Sequence, residues 1–189
     1  MVMPSSGPIS MAQAHAEFGL GYSLSAYYGC DVGVPTSGPI SLGHLYGKKK
    51  RTPYMFYRIH YFIYGGENPR IAELELKSFD GGSDLIPTNA PIHFYQLAAG
   101  SHAGAIDNDL TSPTVLTAGV NSYFYVGLSG AAVVRQMTWY PDNAAPNNFS
   151  GFDIYGANSV NDVSYGSNLT LLAQLRNLPM NSGWNKVNF

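Results

Sequence analysis

Two glutamates, one Asx-rich loop and five histidines are the residues here whose types suit chemistry. Glu73 and Glu75 alternate within Ile71-Ala72-Glu73-Leu74-Glu75-Leu76. They therefore share one strand face, which suits acid–base work or simply solvent; a solvated face is the reading adopted. Asp107, Asn108, Asp109 and Thr111 bunch oxygen donors in one loop. A hard cation such as calcium takes about six to eight oxygens from groups of this kind. The same spacing also makes an Asx-rich turn without metal. The histidines are His15, His44, His60, His93 and His102, and none forms a zinc-ligand pair or a His-Glu-x-x-His run. No Gly-x-Ser-x-Gly elbow, phosphate-binding Gly-Lys-Ser/Thr ending or separated carboxylate pair for glycoside hydrolysis is present. No enzymatic activity is expected.

The elements that position these residues belong to a chain with little charge. Charged residues make up 12% of the 189, about half the usual share of roughly 25%, and fourteen tyrosines lead an aromatic fraction of 13%. A surface so short of charge suits a chain covered by neighbours in an assembly. The net charge of −2 offers no basic field for nucleic acid. Cys30 is the single cysteine, so no intrachain disulfide can form. No run approaches the ~20 apolar residues of a membrane span, and the N-terminal residues lack the basic and apolar stretches of a secretory signal.

The pattern changes at Gly47-Lys48-Lys49-Lys50-Arg51-Thr52-Pro53, where charge, Gly and Pro oppose a packed element. Before it, Pro4-Ser5-Ser6-Gly7-Pro8-Ile9-Ser10-Met11 recurs as Pro35-Thr36-Ser37-Gly38-Pro39-Ile40-Ser41-Leu42, with a weaker echo in Gly21 to Gly29. In each unit Gly-Pro turns the chain, Ile leads into a Ser N-cap, and one or two helical turns follow. Ser10 and Gln13 have capping-box spacing, and Gly19 is placed to end the helix. Such units are too short to stand alone and need a larger surface.

After the boundary, strands are predicted over Tyr54–Tyr64, Ile71–Leu76, Ile92–Leu97, Ser122–Leu128, Ala132–Tyr140, Phe152–Ala157 and Leu169–Leu175. Those ending at Leu128 and Tyr140 read as a pair joined at Ser129-Gly130. Arg58 and His60 fall on one parity of the first strand. Short strands between turn signals predict an all-β sandwich or barrel.

Two resemblances cover most of the chain. The repeat, with Tyr22 to Gly29 and Leu45-Tyr46-Gly47, resembles a segment that precedes variable modules in tailed-phage virion proteins. Tyr57-Arg58-Ile59-His60-Tyr61, Ile71 to Leu76, Ala105 to Asp109, Tyr123 to Leu128, Val133 to Met137 and Phe152 to Asn158 are similar to discoidin-like (factor 5/8 type C, galactose-binding-like) domains. The second resemblance implies an antiparallel jelly-roll β-sandwich. It also implies a structural calcium near Asp107, Asn108, Asp109 and Thr111, with Glu73 as a distal partner. No other cofactor is expected. Carbohydrate binding is that family's commonest role. Tyr95, Trp139, Tyr140, Asn143, Asn147 and Asn148 offer aromatic and amide groups for it, with Tyr140, Asn143 and Asn147 the rim contacts.

The expectation is a structural component of a tailed-phage virion, made in the host cytoplasm and probing no membrane or nucleic acid. It is expected to be tail-associated, as fibre, adaptor or baseplate accessory. Head decoration and a host-glycan receptor module are the alternatives. Residues 1–47 form an extended docking arm with short helices, 48–53 a linker and 54–189 the sandwich. Ile9, Met11, Phe18, Leu24, Tyr27, Tyr28, Ile40, Leu42, Leu45 and Tyr46 are the candidate contacts with other virion proteins, in a homo-oligomer within the particle.

Overall fold

A computed structural model describes the chain except residues 1, 32, 49, 66–67, 80, 96, 112, 118–121, 142–148 and 179–182. It divides into two compact units, Met1–Thr52 and Pro53–Phe189.

The first unit carries helix α1 (Met11–Phe18) and two 3₁₀ turns, Leu24–Tyr27 and Leu42–Leu45. Ser10 caps α1 by accepting the Gln13 amide, and the Gln13 side chain returns to the Ser10 amide at 2.7 Å. Gly19 ends the helix in the left-handed region at φ 69°. The expected short helices are present, but they do not form an extended arm. Met3, Ala14, Phe18, Tyr27, Val34 and Leu45 bury against one another as a small core. Each half is too short for a core, and the larger surface it needs is the other half. The basic run belongs to this unit rather than to a free linker. The Lys50 amide donates to Glu17 Oε1 at 2.7 Å, and Arg51 pairs with buried Asp31 at 2.6 Å.

The second unit is an all-β sandwich. Its strands are β1 (Tyr54–Ile63), β2 (Arg70–Ile71), β3 (Glu73–Lys77), β4 (Ile92–Phe94), β5 (Leu97–Ala99), β6 (Thr114–Leu116), β7 (Tyr123–Ala132), β8 (Gln136–Tyr140), β9 (Phe149–Ala157), β10 (Thr170–Arg176) and β11 (Asn185–Asn188). They form a five-stranded sheet in the order β10-β9-β1-β7-β4 and three-stranded sheets β11-β8-β3 and β2-β6-β5. The paired strands are antiparallel throughout. Alternation along β1 sends Tyr57, Ile59 and Tyr61 inward, and along β3 it does the same for Leu74 and Leu76. Trp139 of β8 meets Phe149 and Phe152 of β9 edge-on, at centroid distances of 6.5 and 5.1 Å, and so joins the β11-β8-β3 sheet to the five-stranded sheet across the core.

Two expected strands and one expected hairpin are rearranged. The run Ile71–Leu76 breaks at Ala72, whose amide donates to Tyr140 O at 2.8 Å, so β2 and β3 enter different sheets. Ile92–Leu97 splits likewise between β4 and β5. The expected hairpin at Ser129-Gly130 does not form, because β7 runs on to Ala132 and the chain then crosses to β8 in the other sheet. Tyr57 holds that crossover. Its hydroxyl donates to Ala132 O at 2.6 Å and accepts the Val134 amide at 3.1 Å. Burial pushes this phenol up to about 12, so it remains a donor at any ordinary pH.

Candidate functional site

The repeats of the first unit become a pair of clamped loops. Gly7 and Gly38 both take positive φ, 86° and 77°, at the tip of a Gly-Pro turn. The Tyr46 hydroxyl donates to Gly7 O, and the next amide, Gly47, donates to Pro4 O at 2.9 Å. The second loop repeats this: the Tyr28 hydroxyl donates to Gly38 O, and Gly29 donates to Pro35 O at 2.8 Å. Ser41 and His44 also repeat the reciprocal capping of Ser10 and Gln13. Residues 5–8 and 36–39 are exposed in both copies. The clamps thus hold two like, rigid loops in solvent.

This arrangement divides the expected docking residues. Phe18, Tyr27 and Leu45 are buried in the unit's own core and cannot reach a partner while it is folded. Ile9, Met11, Ile40 and Leu42 are half-buried and lie against that core, and Leu24 is also half-buried. Tyr28 and Tyr46 are exposed.

In the second unit the Asx-rich loop closes on itself. Asp107 Oδ1 accepts the Asp109 amide at 2.9 Å. Asp109 Oδ1 accepts the Thr111 amide at 2.9 Å and the Thr111 hydroxyl at 2.6 Å, which holds the Asp109 carboxyl below its usual range. Asn108 sits between them at φ 60°. Glu73 does reach this loop, although it lies on the outward parity of β3. It is 3% exposed, with one oxygen accepting the Leu74 amide at 3.3 Å and the other without a hydrogen-bond partner. Burial pushes its carboxyl up to about 7, Asp107 and Asp84 add to the rise, and the amides of Asn108 and Leu74 oppose it. Among the described residues no three His, Cys, Asp or Glu side chains gather as metal ligands. Asp107, Asn108, Asp109 and Thr111 thus form a self-bonded turn beside the buried Glu73, the residues that the resemblance names for calcium.

Arg58 and His60 project from the outward side of β1, opposite Tyr125 and Tyr123 of β7 and Tyr155 and Asp153 of β9. The Arg58 guanidinium lies over the Tyr123 ring at 3.5 Å. Its Nε donates to His60 Nε2 at 2.8 Å, so the ring accepts at that nitrogen. Burial first, and Arg58 second, push His60 below its ordinary value. Arg58 Nη1 donates to Val163 O at 2.7 Å, and the Tyr123 hydroxyl donates to Ser164 O at 3.2 Å. Both carbonyls belong to helix α2 (Val160–Tyr165). The cluster is therefore a latch for α2 and not an acid–base pair. Arg58→Leu removes a charged hydrogen bond of about 1.5–3 kcal/mol. Exchange of the α2 amides should then quicken about tenfold or more relative to those of β9. Equal protection of α2 in both proteins, measured by hydrogen–deuterium exchange, would show that Arg58 does not anchor it.

The expected glycan rim is only partly described. Asn143, Asn147 and Asn148 lie outside the described residues. Trp139 is core, and Tyr95 is exposed on the five-stranded sheet, stacked on Tyr123 at 4.8 Å. Tyr140 is half-buried, and its aromatic neighbour is Trp184, met at 5.6 Å and 70°. The latch was half legible, since the parity of Arg58 and His60 showed but the six-residue α2 is too short to show helical periodicity.

Comparison with models of known protein families, with curated proteins and with solved structures finds no match to this chain.

Proposed function

We propose that this protein is a structural component of a tailed-phage virion, associated with the tail. It docks through Met1–Thr52 and presents the β-sandwich, and its work is binding without turnover. The observation that carries this reading is the duplicated, clamped Gly-Pro loop. Two exposed loops that differ only in Ser5 for Thr36, with like glycine conformations and the same Tyr-Gly clamp, form a rigid surface that the small core beneath them does not require. A rigid loop loses little entropy when it meets a partner, so it suits permanent assembly. The partners are other virion proteins, met by several copies of this chain in one particle.

The test removes the clamps and leaves the apolar core. Tyr28→Phe with Tyr46→Phe deletes both hydroxyl donors. At about 1 kcal/mol for each lost hydrogen bond, incorporation into particles, quantified by immunoblot of purified virions, is expected to fall several-fold. A chain beginning at Pro53 is expected to stay out of particles altogether. Incorporation of that shortened chain at the full-length level overturns the reading. Location in a particle reconstruction separates tail from head decoration.

A further inference from the structure

We propose that the two clamped loops of Met1–Thr52 dock as a pair, each on the same site of one of two neighbouring copies of a single partner protein. This rests on the docking reading above and names the form and chemistry of the partner.

The two halves of the unit compare position by position, residues 3–14 with residues 34–45. They follow the same course of burial. Met3 and Val34 are buried, Pro4 and Pro35 half-buried, residues 5–8 and 36–39 exposed, and Ile9 and Ile40 half-buried again. The halves differ where they build the core, with Met3 for Val34, Met11 for Leu42 and Ala14 for Leu45. They agree in the exposed loop. A repeat shaped by its fold alone would show the reverse, because core positions are sensitive to volume and exposed ones are not.

Most of the shared residues have a role inside the unit. Gly7 and Gly38 supply φ of 86° and 77°, Ile9 and Ile40 lie against the core, and Ser10 and Ser41 cap the turns that follow. Pro8 and Pro39 fix the exit from the glycine turn. Ser6 and Ser37 have no such role. Both are exposed, and neither hydroxyl makes a hydrogen bond among the described residues. The same holds for Ser5 and Thr36, where the loops differ but each keeps a hydroxyl. Each loop thus offers two unused hydroxyls and no ionisable side chain. The site that fits it is uncharged, with donors and acceptors set for hydroxyl groups.

The clamps make the loops act together, because they are interleaved along the chain. Tyr28 and Gly29, which hold the second loop, lie between the two loops, and Tyr46 and Gly47, which hold the first, come after both. Met3 and Val34 beside the loops, and Tyr27 and Leu45 beside the clamps, bury in one core. The loops therefore keep a fixed separation. Two like loops at a fixed separation match two like sites held at a fixed separation, as on adjacent copies of one subunit in a symmetric assembly. Engagement of one loop raises the effective concentration of the other, a gain of about 10²–10⁴-fold.

The test replaces Ser6, or separately Ser37, with the photo-crosslinker p-benzoylphenylalanine in the full-length chain. Purified virions are illuminated and the captured peptide is identified by mass spectrometry. Both positions are expected to capture the same peptide of the same protein. Ser6→Glu and Ser37→Glu place a charge where the fold makes no contact, so circular dichroism should not change. Each is expected to lower incorporation about tenfold or more, and the two losses should agree within about twofold. Capture of different peptides, capture at neither position, or a loss confined to one Glu variant overturns the proposal. If the chain beginning at Pro53 still stays out of particles, such a result removes the paired mode and leaves docking through this unit standing. Entry of that shortened chain at the full-length level removes both.

Discussion

Glu73→Gln is expected to stabilise the protein at about pH 8 by about 2–3 kcal/mol and to change little near pH 4. The reason lies in where the fold puts this carboxyl. Its folded value of about 7 stands above the 4.5 of an unperturbed Glu, and burial is the main cause. Between those two values the folded chain keeps a proton that the unfolded chain has released. Stability therefore falls as pH rises from about 4.5 to about 7, and the deficit stays constant above. Below about 4.5 both states are protonated and the deficit vanishes. Gln has the shape of the protonated acid and does not titrate, so it removes this slope. Asp84 is raised as well, mainly by burial, but it is present in both proteins and cancels in the difference. Urea unfolding of both proteins at several pH values from 4 to 8 checks the expectation. A gap between the two proteins that is the same at every pH would mean that Glu73 is not buried as described.

Glu73 also shows what a sequence can and cannot say here. Its parity with Glu75 was legible, because alternation along Ala72-Leu74-Leu76 fixes which side faces the core. Its burial was not, because alternation alone puts Glu73 on the outward side; only the resemblance placed it near the loop at Asn108 that covers it. The same division runs through the chain. The strands β1, β9 and β10 were legible from local pattern. The sheet that each strand joins was not, since β7 and β8 look like a hairpin until the Tyr57 hydroxyl, 77 residues from Val134, is seen holding the crossover. In the first unit the Gly-Pro-Ile-Ser repeat and the Ser10 cap were legible. The closure of each half on the other depends on Tyr46 reaching Gly7, 39 residues away, and it turns presumed docking anchors such as Phe18, Tyr27 and Leu45 into core. Local chemistry was readable, then, and non-local pairing was not.

Trp139→Ala is expected to cost about 3–5 kcal/mol, whereas Trp184→Ala should stay within about 0.5 kcal/mol. Both are tryptophans near one end of the same three-stranded sheet, and only their facing differs. Trp139 is 2% exposed and packs edge-on against Phe152 at 5.1 Å, so its loss opens a cavity where the β11-β8-β3 sheet meets the five-stranded sheet. A domain holds only about 5–15 kcal/mol in total, so this single change should leave the sandwich close to unfolding at room temperature. Trp139→Phe keeps an aromatic between the sheets and should recover more than half of the loss. Far-UV circular dichroism through a urea titration reads all three variants without relying on tryptophan emission. Comparable losses for Trp139→Ala and Trp184→Ala would place Trp184 in the core. The expected contrast follows from facing alone: Trp184 is half-exposed and meets Tyr140 edge-on at the surface, so its removal opens no cavity between sheets.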